Sequence, residues 1–140
     1  MSELTPIRAA WEPRFATTHD LLDTQHQALL AECDRMAELC ASATGEQGRT
    51  QFDQAFARLK ALVKAHFEAE AAALAACGGT ELDDHRDEHE EFEYLADEIA
   101  TVENFDRLEL QRFLALWCIG HVTGSSRQLR ELQAEGRTAA

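Results

Sequence analysis

His66-Phe67-Glu68-Ala69-Glu70 and, fifteen residues on, His85-Arg86-Asp87-Glu88-His89 decide how this chain is read. Each sets two metal-competent side chains four residues apart, so both project from one helix face. In the apolar pattern around them, that face is the one a helix bundle buries. Histidine or glutamate in place of leucine there is costly unless something pairs with it. A metal ion is the simplest partner.

Working outward, Phe52, Phe56, Leu59, Val63, His66 and Glu70 form one seam with helical spacing, capped by Thr50 and stopped at Cys77-Gly78-Gly79. Gly45 and Gly48 read as the loop before it. Leu82, His85, His89, Phe92, Ala96, Ile99 and Val102 form the next seam, which starts between Thr80 and Asp84 and breaks at Asn104. Upstream, Asp20 is placed to cap a helix with Leu22, His26, Leu29, Cys33, Met36 and Cys40 along its buried side. Downstream, Asp106 and Glu109 make a capping box for a helix carrying Leu110, Leu114, Trp117 and His121. Residues 1–19, with Pro6 and Pro13, read as an irregular arm anchored by Trp11 and Phe15.

Four long helices with short loops predict an all-α, up-down-up-down antiparallel four-helix bundle with an irregular N-terminal arm. The expected organisation is a single domain over 1–140, with the arm at 1–19 and the bundle at 20–134. Only two prolines and seven glycines occur in 140 residues, in keeping with a helical chain. The net charge of −13, without a basic patch, argues against nucleic acid or an anionic membrane as partner. That charge attracts cations in general and does not define a site. The N-terminus has neither a basic flank nor an apolar run, and no stretch is long enough for a bilayer, so the expected location is cytoplasmic. Cys33, Cys40, Cys77 and Cys118 show no CxxC spacing and are expected to be packed free thiols.

Bundle topology gathers the polar seam positions. His26 lies near the start of the first helix, Glu70 near the end of the second, His85 and His89 at the start of the third, and His121 late in the fourth. Antiparallel packing puts all of these at one end of the molecule. One buried histidine is commonplace, but five with a glutamate in register point to a metal site. Imidazoles with a carboxylate suit iron, zinc, copper or nickel rather than calcium or magnesium. Six donors exceed what one tetrahedral zinc needs, so two metals sharing a carboxylate fit better.

With Trp11, Asp23-Thr24-Gln25-His26, His66-x3-Glu70, His85-x3-His89-x2-Phe92 and Trp117-x3-His121, the chain resembles the hemerythrin family, specifically the single-domain bacterial hemerythrins. The resemblance implies a non-haem di-iron centre, two iron ions with an oxo or hydroxo bridge, binding O2 or a small anion. His26 and His66 would hold the iron with the open position, and His85, His89 and His121 the other. Glu70 would bridge the pair. One departure stands out: the family's bridging aspartate, five residues after the last histidine, is replaced by Ser126. A serine hydroxyl is not ionised at neutral pH and makes a poor bridge. Weaker metal retention, or a position taken by water, an anion or another side chain, is expected. His19, seven residues before His26 and so about 10 Å away along a helix, is a candidate replacement, though an exposed or supporting role is the plainer reading.

Glu68, Glu88, Glu90 and Glu91 read as solvated faces, and Thr123 and Ser125 as hydroxyls bonded back to helix carbonyls. The expected function is O2 binding as carrier, store or sensor in an apolar pocket. No nucleophile, general base or substrate cleft is legible, so turnover is not expected as the main role. Two alternatives remain. One is peroxide, nitric oxide or oxidase chemistry at the position Ser126 leaves open; the other is a mononuclear metal-binding regulatory module.

Overall fold

The computed structural model describes residues 5–17, 19–42, 45–76, 82–101 and 106–134. Four helices carry the chain: α1 (Asp20–Ser42), α2 (Gly45–Ala76), α3 (Leu82–Thr101) and α4 (Arg107–Ala134). They form an antiparallel four-helix bundle in which α1 packs on α2 and α4, and α3 closes the ring against α2 and α4. No strand occurs among the described residues. None of the helices among them is long and apolar enough to cross a membrane. The expected glycine stop at 77–79 and the break at Asn104 lie outside the described residues, and α3 begins at Leu82, within the expected Thr80 to Asp84.

The seams read from the sequence face inward. Leu22, His26, Leu29, Cys33 and Met36 of α1 and Phe52, Phe56, Leu59, Val63, His66 and Glu70 of α2 are buried. Cys33, Cys40 and Cys118 are free thiols. The Cys33 thiol beside Cys118, together with burial, raises Cys118 well above the usual thiol range. Both are packing groups rather than reactive ones.

Three local expectations are corrected. The second helix starts at Gly45, not after Thr50. Gly45 has φ +72°, a conformation suited to glycine, and Gly48 is buried inside the first turns. Thr50 therefore does not cap; its hydroxyl donates to the carbonyl of Glu46 at 3.0 Å within the helix. At α1, capping falls to His19 rather than Asp20: its Nδ1 accepts the amide of Leu22 at 3.3 Å. At α4 the expected cap is seen, with Asp106 Oδ1 accepting the Leu108 amide at 2.8 Å.

The arm is fastened rather than loose. Fully buried Gln111 of α4 accepts the Ile7 amide at 2.9 Å, and its own amide donates to the carbonyls of Ile7 (2.8 Å) and Cys33 (3.2 Å). In the first turn of α1, the Asp23 carboxylate takes the amide and hydroxyl of Thr17. Pro13–Phe15 form a short 3-10 turn that buries Phe15. The arm thus pins α1 to α4 along the side away from α3.

Candidate metal centre

The apolar core divides into two clusters. The larger runs through Leu29, Phe56, Leu59, Leu114 and Val122, and the smaller joins Leu22, Ala73 and Leu129. Between them lies a polar layer. On α4, Ser126 falls between Val122 of one cluster and Leu129 of the other. His26, His66, Glu70 and His121 occupy the corresponding level of α1, α2 and α4, all buried.

Four of the expected donors converge. One ligand atom from each of His26, His66, Glu70 and His121 lies within 4.8 Å of every other. Glu70 is the hub. Its Oε2 is 3.1 Å from His66 Nε2 and 3.8 Å from His26 Nε2. Its Oε1 is 2.7 Å from His85 Nε2 and 3.5 Å from His121 Nε2. A single carboxylate thus touches imidazoles from all four helices. His85 reaches Glu70 from the α3 side but stands outside the four-donor group.

His89 is placed differently. Its Nε2 lies 3.0 Å from Glu93 Oε1, one turn along α3, and its ring stacks on Phe67 at 4.5 Å. Like His85 Nε2, His89 Nε2 has no aligned hydrogen-bond partner among the described residues, and it stands outside the four-donor group. His19, bonded to the α1 terminus, is likewise apart from the cluster. Ser126 is fully buried within the layer, and its Oγ has no hydrogen-bond partner among the described residues.

Three residues around the site escaped the sequence reading. Gln25 Oε1 is 2.9 Å from His66 Nδ1. Glu88, expected on a solvated face, has Oε1 2.5 Å from His121 Nδ1. Ser125 does not bond back to a carbonyl; its hydroxyl donates to Glu70 Oε2. Thr123 does bond back, to the carbonyl of Ile119 at 2.7 Å. Glu68, Glu90 and Glu91 are exposed as expected.

Electrostatics follow from this crowding. Burial opposes the charge on Glu70, but His121, His26 and His66 outweigh it and hold the carboxyl well below its usual range. Burial also opposes charging of His121, yet Glu70 and Glu88 push it up to about 9. His66 goes the other way, lowered to about 4 chiefly by burial.

A metal ion fits these residues on their own chemistry. Both nitrogens of His26 lack a hydrogen-bond partner among the described residues. His85 Nε2, although close to Glu70, is not aligned for a hydrogen bond. Buried imidazole nitrogens are rarely left so. Nitrogen lone pairs gathered around one anionic carboxylate are a donor set for a borderline transition-metal ion.

The site is reached by a cleft of about 600 Å³ between α3 and α4, with Glu70, His85 and His121 at its inner end. Asp84, Glu88, Arg127 and Glu131 line it alongside Leu116 and Trp117, so the approach mixes charged and apolar groups where an apolar pocket was expected. Gly120 and Gly124, one turn apart on α4, open it: a Cβ at either position would meet nothing within 4 Å. The signal was present in the sequence, since helix-interior glycines are unfavourable by about 1 kcal/mol each against alanine.

A buried histidine–carboxylate layer inside a four-helix bundle defines a metal-binding bundle protein. The hemerythrin HHE cation binding domain matches residues 17–133, and the chain belongs to that family. No curated protein and no solved structure matches it.

Proposed function

We propose that this chain is a non-haem di-iron protein that binds O2 as a carrier, store or sensor. The observation that carries this reading is the convergence of imidazoles from four helices on buried Glu70. In this reading His26 and His66 would hold one iron, His85, His89 and His121 would hold the other, and Glu70 would serve both. His89 would have to leave Glu93 to take part. Iron in such a site supplies reversible electron transfer to O2.

The chain's own groups then have distinct tasks. Gln25 and Glu88 fix the rings of His66 and His121, and Ser125 fixes Glu70. Trp117 lies flat on His121, with ring planes 2° apart at 5.1 Å, and restricts rotation of that ring. Phe67 walls the site between His85, His89 and His121. Ser126 offers a hydroxyl where a second carboxylate would neutralise more charge.

Anaerobic reduction of the iron-loaded protein followed by admission of air tests the reading. A new visible absorption band is expected; iron-loaded protein without such a band overturns it.

A second reading is favoured by one observation. The tight group holds three histidines and one carboxylate, the donor count of a single closed metal site, while His89 stands apart. On this reading the chain is a mononuclear metal-binding regulatory module. Metal content near one per chain would select it.

A further inference from the structure

We infer that Glu88 is a positioning residue for the metal centre, acting through His121; the inference rests on metal binding by His121. Two rings of the site are each held by a side chain from the preceding helix. Gln25 of α1 meets Nδ1 of His66 on α2, at 2.9 Å. Glu88 of α3 meets Nδ1 of His121 on α4, at 2.5 Å. The pattern is the same, but the acceptors differ: a neutral amide on one side and a carboxylate on the other.

That difference has consequences for the ring. A carboxylate accepts and does not donate, so Nδ1 of His121 must carry the proton. Its other nitrogen, Nε2, faces His66 Nε2 at 3.0 Å and Glu70 Oε1 at 3.5 Å. With Nδ1–H committed to Glu88, Nε2 is the nitrogen left to offer a lone pair to a cation. The anionic partner also makes the imidazole a stronger donor than an amide partner would. Trp117, stacked on the same ring, keeps it from turning over. Glu88 reaches the ring from the wall of the cleft, with its side chain 42% exposed. It is therefore a group that can be changed without opening the core.

Zinc(II) is the probe, measured by competition with a chromophoric chelator on wild type, E88Q, E88A and E131Q. Glu131 lines the same cleft but is not among the groups touching His121, so E131Q reports the cleft's general attraction for cations. E88A is expected to weaken zinc binding roughly 10- to 100-fold, with E88Q between E88A and wild type because its amide oxygen still accepts from Nδ1–H. E131Q is expected within about twofold of wild type. Proton-detected NMR of histidine-labelled protein gives a second readout, with and without zinc. A strongly downfield His121 Nδ1–H is expected in wild type and is lost in E88A.

If E131Q weakens binding as much as E88Q, or E88A binds like wild type, the positioning role is overturned. Absence of the downfield proton from wild type in both states also overturns it. Wild type that binds no zinc, iron or cobalt, yet shows that proton, fails the metal reading instead, and the inference falls with it.

Discussion

His66 and His121 hold their Nε2 atoms 3.0 Å apart across α2 and α4, a separation that two bare lone pairs could not tolerate. A hydrogen bond between them needs one proton. It belongs to His121, which is pushed up to about 9, while His66 is lowered to about 4 and accepts. Nδ1 of the same imidazolium donates to Glu88. In metal-free protein a proton therefore holds this corner together, and a cation must displace it.

The stability of metal-free protein should accordingly peak near pH 6.5. His66 takes its proton at 6.5 when unfolded but only at about 4 when folded, so stability falls as pH drops through that interval. His121 has the opposite sign: its contribution is complete below 6.5 and is lost as pH rises through about 9. Glu70, held below the usual carboxylate range, deepens the loss on the acid side. Thermal melts of chelator-treated protein across this range check the shape. A curve still rising from pH 6.5 to 9 contradicts the assignment to His121.

Ser126→Asp should separate the protein's two states. The position is fully buried and its hydroxyl is unpartnered, so an added carboxylate in metal-free protein is an unpaired buried charge. A drop in Tm of ~5 °C or more is expected there. With metal present the same carboxylate lies in the donor layer, and loss of metal to a chelator should be slower than in wild type. Destabilisation that metal does not relieve would show that position 126 does not face the centre.

His89→Ala distinguishes the two readings of the site. Under the di-iron reading it removes a ligand, and metal content falls from two per chain towards one. Under the mononuclear reading it breaks only the contacts with Glu93 and Phe67, and metal content stays at one. Metal analysis of both proteins, loaded side by side, gives the answer.

Gln111→Ala should loosen the arm without touching the metal. The substitution strands the amide and carbonyl of Ile7 and removes the second donor to the Cys33 carbonyl, which keeps its place in the α1 ladder, at a cost of about 1–3 kcal/mol. Chelator competition is expected to match wild type while Tm falls by a few degrees. Altered metal affinity would mean that the arm reaches the centre.

The helices were legible because each seam repeats with helical spacing, and the donors because they interrupt those seams. Periodicity shows which residues face inward on one helix. It does not give the rotation of neighbouring helices against each other, which is what brings Gln25 to His66, Glu88 to His121 and Ser125 to Glu70. Glu88 illustrates the gap: it sits beside the seam, half exposed, and only the closeness of α4 gives it a partner. The start of α2 was hidden for another reason. Gly45 and Gly48 carry loop propensity, yet the packed α1–α2 pair extends the helix over them. His89 has the spacing of a ligand, yet its Nε2 lies outside the four-donor group and 3.0 Å from Glu93 one turn on, a neighbour also written in the sequence.

Iron determination on protein purified without added metal tests whether helix packing gathers scattered imidazoles around Glu70 to hold a pair of cations. Close to two iron ions per chain are expected, lost together when Glu70 is replaced by alanine. Protein that is correctly folded yet carries no stoichiometric metal, and takes up none when it is offered, would contradict it.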